Sequence, residues 1–152
     1  MDYKLELVLI PVADVDRAKK FYLEQAGFVL IVDTPIGPDQ RVVQVVPPGS
    51  ECAIGFGTGI TSAAPGAAQG LHLVVSDIVA ARAELTERGV GVSEIRHPQD
   101  GTWVDGPHPD RANYQSFADF ADPDGNIWVL QEVDRSGGRG KDGGKAGGKA
   151  GA

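Results

Sequence analysis

Asp122-Pro123-Asp124-Gly125-Asn126, running on into Ile127-Trp128-Val129-Leu130-Gln131-Glu132, is the stretch from which the fold can be read. Pro presets φ at the first central position of a turn, Asp bonds its own backbone, and Gly takes a positive φ without steric cost. With Phe117-Ala118-Asp119-Phe120 ahead of it, the stretch predicts a hairpin closing the last two strands of a sheet.

Working outward from the hairpin, the rest of the chain divides into two similar runs. In the first, Lys4–Val12 is apolar enough for a buried strand. Asp14 stands at an N-cap position, Val15, Ala18, Tyr22 and Ala26 mark one helical face, and Gly27 ends the helix. Strands are expected at Phe28–Asp33, Gln40–Val46 and Cys52–Gly57, separated by Pro35-Ile36-Gly37-Pro38 and Pro47-Pro48-Gly49-Ser50. After a small-residue linker, the order restarts. Leu71–Val75 reads as a strand, Asp77 as a cap, Ile78, Ala81 and Leu85 as a helix face, and Gly89 as its stop. Val90–Ile95 is expected to be a strand, His97–Asn113 a long irregular loop, and Tyr114–Ala121 with Ile127–Val133 the closing hairpin. An offset of 63 superposes Val12 on Val75, Asp14 on Asp77, Val15 on Ile78 and Ala18 on Ala81. The prediction is an α+β domain of two tandem βαβββ modules with eight strands. Module one covers about 3–57, a hinge 58–69 and module two about 70–133.

Composition limits the function. The chain has 152 residues, 41% of them hydrophobic, and a net charge of −7. Residues 134–152 carry Arg135, Arg139, Lys141, Lys145 and Lys149 against Asp134 and Asp142, a net +3 that leaves −10 on residues 1–133. Such an acidic body repels phosphate backbones and argues against a nucleic-acid partner. The Gly-, Lys- and Ala-rich 134–152 stretch has little to bury and is expected to be a disordered tail. The lone Cys52 excludes an internal disulfide and reads as a small apolar residue rather than a nucleophile. With no long apolar run and no secretory pattern, a cytoplasmic protein without membrane partners is expected. Gly57-Thr58-Gly59 is out of context for a phosphate loop.

Three stretches together resemble the vicinal-oxygen-chelate superfamily of glyoxalase I, bleomycin-resistance proteins and extradiol dioxygenases. They are Val12-Ala13-Asp14-Val15-Asp16-Arg17-Ala18-Lys19-Lys20-Phe21-Tyr22, Val75-Ser76-Asp77-Ile78, and Phe120-Ala121-Asp122-Pro123-Asp124-Gly125-Asn126-Ile127-Trp128. The resemblance covers about residues 4–133 and implies curved mixed sheets around a cavity, in a protein that is usually a homodimer. It also implies a metal-ligand position on the first and last strand of each module. Aligned here, those positions hold Leu7, Gly55, Gly70 and Val129, which have no side-chain O or N donors. A divalent ion needs several such donors at bonding distance. No metal or other cofactor is therefore expected, nor the family's Lewis-acid route.

If Gly70 and Val129 line the cavity, alternation brings His72, Ile127 and Gln131 to the same face, with Leu5 and Leu9 beside Leu7. His72 is the one candidate for acid–base chemistry, and Gln131 for orienting a ligand carbonyl or amide. Trp103, His108 and Tyr114 lie on or beside the long loop, where aromatic rings suit stacking on a planar ligand. Arg41 and Gln44 are candidates for the cavity mouth, His97 reads as an exposed side chain, and Trp128 as core. The leading expectation is a metal-independent protein that binds a small apolar or planar molecule, such as an antibiotic or aromatic metabolite. The alternatives are a lyase, isomerase or cyclase using His72 without metal, and an interaction module with a closed cavity.

Overall fold

The computed structural model describes residues 1–136, and the greater part of the stretch expected to be a disordered tail lies outside them. Residues 134–136 are tied down: the Asp134 N–H donates to Asn113 Oδ1 at 2.8 Å and the Ser136 N–H to Asp134 Oδ1 at 2.9 Å. The chain forms an α+β fold of two mixed sheets with few helices, divided into two compact units. Unit one is Met1–Gln69 together with Asp122–Asn126. Unit two is residues 70–121 and the chain from 127 onward.

In unit one, β1 (Leu7–Leu9), β2 (Val29–Pro35), β3 (Arg41–Val46) and β4 (Ala53–Thr58) lie in the order β1-β4-β3-β2. β1 pairs parallel to β4 because α1 (Val15–Lys20) and the π-helical turn Phe21–Gln25 return the chain to the same end. Asp14 caps α1 by accepting from the Arg17 N–H at 3.0 Å. Gly27 turns out of the helix at φ 77°. Val43, Val45 and Phe56 are fully buried on the helix side of the sheet, with Ala18 and Tyr22. β1 is shorter than its apolar run, because Pro11 has no N–H and the Ile10 N–H already goes to Gly55 O.

The Asp-Pro-Asp-Gly turn belongs to unit one. Asp122 Oδ1 accepts from the N–H groups of Asp124 and Asn126, both at 2.9 Å, and Gly125 takes φ 94°. Asp122 Oδ2 receives the Tyr22 hydroxyl at 2.7 Å. Asn126 Nδ2 donates to Pro11 O at 2.8 Å, and Asp124 Oδ1 accepts from Ala13 N and Arg17 Nη2, both at 3.0 Å.

Unit two repeats the plan. β5 (Leu71–Val75), α2 (Ile78–Glu87), β6 (Arg96–Gln99), β7 (Thr102–Asp105), β8 (Phe117–Ala121) and β9 (Ile127–Glu132) form a sheet ordered β5-β9-β8-β6-β7. The first four positions match unit one, with β5 parallel to β9. Asp77 caps α2 as Asp14 caps α1, accepting from the Ala80 N–H at 3.1 Å. Trp128, Leu130 and Phe120 are buried, and the Phe120 and Trp128 rings stack 6.2 Å apart.

Three expectations need correction. The fold has nine strands, because the stretch read as a long loop contains the β6–β7 hairpin. Its turn is Asp100-Gly101 with φ 52° and 80°, the two positive values a two-residue hairpin needs. Residues 90–95 form no strand. Their carbonyls go to Arg82, whose Nε donates to Ser93 O at 2.7 Å and Nη2 to Val92 O at 3.3 Å, while the Ser93 N–H donates to Asp119 O. His97 is buried rather than exposed, 4% accessible, because β6 places it opposite Val104 and its Nδ1–H donates to Gly106 O at 2.7 Å.

Candidate functional site

Strand register divides the unit-two sheet into a helix-covered face and a free one. Pairs in register run Val74, Gln131, Phe117, Arg96 and Asp105 across β5, β9, β8, β6 and β7. Paired residues share a face, and so do residues two apart on one strand. His72, Val129, Asp119 and Trp103 therefore join this set. Glu132, Leu130 and Trp128 take the other face, where Glu132 Oε2 accepts from the Ile78 N–H at the start of α2 at 2.8 Å.

Trp103 is the most exposed aromatic of the free face, 42% accessible. The Arg96 guanidinium carbon stands 5.2 Å from the centre of its ring, a cation–π contact. Phe117 meets it edge-on at 5.7 Å and an interplanar angle of 89°. Asp119 holds the guanidinium through Arg96 Nη2 at 3.3 Å, so the cation is partly neutralised where it stacks. Behind this cluster Val129 is buried, and so is Gln131, at 8% accessible. The Gln131 carboxamide has no hydrogen-bond partner among the described residues, although burying an unpaired amide costs about 1–3 kcal/mol. His72, opposite Val129 on the outer strand β5, is exposed, with Nδ1 2.6 Å from Gly70 O.

The other predicted residues are placed elsewhere. Leu7, Gly55 and Gln44 share the free face of the unit-one sheet. A Cβ at Gly55 would lie 3.1 Å from Leu7 Cδ1 and 3.8 Å from Gln44 Cγ. Arg41 does not join Gln44. An odd residue spacing turns it to the helix side, where it bonds Asp33 through Nε at 3.0 Å and Asp16 through Nη1 at 2.8 Å. Those bonds, first the one from Arg41 and then the one from Lys19, hold the Asp33 carboxyl well below the usual carboxylate range. His108 is brought to His97, ring centres 5.8 Å apart, and its Nδ1 accepts from the Asp110 N–H at 3.1 Å. Tyr114 takes φ 66°, donates its N–H to Glu132 O at 2.9 Å and accepts from Arg135 Nη2 at its hydroxyl. Neither shares the Trp103 cluster. Sequence reasoning missed Arg96, Phe117 and Asp119 altogether. The signal that finds them is Asp100-Gly101, which fixes the hairpin register and with it the face.

A divalent ion does not fit the aligned ligand positions. Leu7 and Val129 bring only carbon, Gly70 brings no side chain, and at Gly55 an added Cβ would stand 3.0 Å from Leu9 Cδ2. Among the described residues no three His, Cys, Asp or Glu side chains are grouped to hold a metal.

Two βαβ-type units with matching strand order, joined through an Asp-Pro-Asp-Gly-Asn turn, agree with the match of residues 4–130 to the Glyoxalase/Bleomycin resistance protein/Dioxygenase superfamily. The chain belongs to that superfamily. Within the glyoxalase/bleomycin-resistance superfamily it is similar to TnmS3, an antibiotic binding protein from Streptomyces sp. CB03234. The two are 34% identical, with 86% of this chain and 96% of that one covered at a TM-score of 0.67. A glyoxalase/bleomycin resistance protein from the same organism is also 34% identical, covering 84% and 99% of the two chains at a TM-score of 0.65. A superfamily member from Sphaerobacter thermophilus DSM 20745 is 28% identical, covering 87% and 98% at a TM-score of 0.67. No helix of the described residues is long and apolar enough to cross a membrane.

Proposed function

We propose that this superfamily member binds a small planar or apolar molecule, an antibiotic or an aromatic metabolite, on the free face of its second sheet and without a metal ion. The observation that carries the reading is Trp103, exposed on one strand, backed by Arg96 and braced by Phe117. A ring held in this way loses little side-chain freedom when a planar ligand stacks on it. Val129 offers apolar surface beside it, and the unpaired Gln131 amide is a ready polar contact. The likeness to an antibiotic binding protein supports the same reading. The donor-free residues at Leu7, Gly55, Gly70 and Val129 support metal independence.

We further propose a homodimer, in which the apolar residues Val29, Ile31 and Leu9, 57%, 54% and 43% accessible, are covered by a second copy. Light scattering giving a monomer mass would overturn that part. Retention in the cytoplasm follows the lone thiol and the acidic body. His72 favours a second reading, proton transfer without metal. With Nδ1–H committed to Gly70 O, its Nε2 lone pair faces outward as a base would. Neither His108 nor Tyr114 stands near enough to the Trp103 cluster to complete an acid–base pair, so binding is the stronger reading.

The test is a thermal-shift and fluorescence titration against planar antibiotics and aromatic metabolites, on protein purified with and without chelator. Binding at 100 times the dissociation constant raises stability by about 2.7 kcal/mol. Expected are quenching of Trp103, equal affinity in both preparations, and ligand recovered unchanged. Binding that needs added metal would sink metal independence, and a converted ligand would favour the His72 reading. Ligand shifts untouched by Trp103→Ala would remove the proposed site.

A further inference from the structure

We infer that the bound molecule presents a hydrogen-bond donor, a phenolic hydroxyl or an aromatic N–H, to Nε2 of His72, which makes hydroxyaryl compounds the preferred ligand class. The inference rests on the aromatic site proposed above and deepens it. A carbonyl oxygen can only accept, so the 2.6 Å contact between His72 Nδ1 and Gly70 O places the ring proton on Nδ1. A neutral imidazole has one proton, which leaves Nε2 as an acceptor. The anchor is backbone: Gly70, at φ 79°, donates its own N–H to Ile127 O at 3.1 Å, which fixes the carbonyl that holds the ring.

The tautomer is therefore set before any ligand arrives, and it sets the polarity of recognition. His72 pairs with Val129, and Val74 with Gln131, so the imidazole and the carboxamide stand on the same face one register step apart. The Gln131 amide offers both a donor and an acceptor and can rotate to match whatever a ligand brings. His72 has no such choice while its Nδ1–H is committed. Of the two polar groups flanking Val129, only the histidine discriminates.

The experiment uses two probes of nearly equal shape, 2-naphthol and 2-methoxynaphthalene, titrated at neutral pH against the full chain with Trp103 quenching as the readout. The hydroxyl donates and the methoxy group cannot. Expected is about tenfold tighter binding of 2-naphthol, the effect of one hydrogen bond of ordinary strength. In His72→Ala the ratio falls to near one. A ratio near one in the unaltered chain, with both probes binding, would overturn the donor assignment and leave the aromatic site standing. No quenching by either probe would overturn both. A ratio that persists in His72→Ala would take the role away from this residue. Long-range proton–nitrogen correlation of the unaltered protein checks the tautomer independently, and a His72 proton found on Nε2 would also sink the inference.

Discussion

At Gly57 an absent side chain keeps β3 and β4 together. A Cβ there would stand 1.8 Å from Arg41 O and 2.9 Å from the Arg41 carbonyl carbon, both backbone atoms of the paired strand. Backbone cannot swing aside as a flexible side chain does, so the two strands would have to part. Gly57→Ala is expected to lose stability at the upper end of the about 1–3 kcal/mol typical of overpacking, read as a lower urea midpoint. Trp103 is the opposite case. It is half in solvent, and its removal takes little from the core. Trp103→Ala is expected to change stability by less than about 1 kcal/mol while weakening aromatic ligands about tenfold, since stacking adds roughly 0.5–1.5 kcal/mol beyond area burial. Equal affinity of the two proteins in a titration would contradict the role given to the ring.

At the scale of elements, Arg111 joins three segments. Its Nε donates to Glu132 Oε1 at 2.8 Å, and its Nη2 to Glu132 Oε2 and, at 3.0 Å, to the α2 cap Asp77. Glu132 in turn accepts the free N–H of Ile78. The Glu132 carboxylate holds the guanidinium in its charged form, raising its pKa further above an already high value. Arg111→Ala strands a buried carboxylate, 3% accessible, and is expected to lower stability by about 2–3 kcal/mol in thermal unfolding. Arg111→Lys restores only part, because an ammonium cannot fork across both oxygens. The link between Tyr22 and Asp122 makes a similar case. Tyr22→Phe removes a buried hydrogen bond to a charged acceptor, at about 1.5–3 kcal/mol. Helix caps, helix stops and the β8–β9 hairpin were legible because each is decided within four or five residues. The β6–β7 hairpin was legible too, in Asp100-Gly101. Pro98 and the polar residues around it masked the alternation on which a strand reading depends.

For the whole molecule, acid is the informative variable. Asp33 is held ionised by Arg41 and Lys19, and Asp77 first by the Ala80 N–H and then by Arg111. Both pKa values are depressed in the folded state. Their contribution is therefore complete above the unfolded carboxylate value of about 3.9 and is lost as pH falls through the lower folded values. The urea midpoint is expected to be nearly flat from neutral pH down to about 5 and to decline below about 4. Asp33→Asn is expected to lower the neutral-pH midpoint and make the acid decline shallower. An unchanged pH profile would show that the Arg41 pairing contributes nothing.

What the sequence by itself determined was the order of elements, the repeat with its offset of 63, the family, and the lack of donors where that family holds metal. These follow from residue type and from neighbours a few positions away, which set φ preferences, caps and periodicity. The tertiary structure alone decided which side chains share a face or a partner. It buried His97, turned Arg41 away from Gln44, and set Arg96 over Trp103 with Asp119 behind. It also joined Tyr22 to Asp122, 100 positions apart in the chain. The physical reason is that a sheet face is fixed by register between strands, and a shift of one residue sends every side chain to the other side. The Asp-Pro-Asp-Gly turn shows both kinds of information at once. Its shape is local chemistry, while its buried partners Tyr22 and Pro11 come from long-range packing.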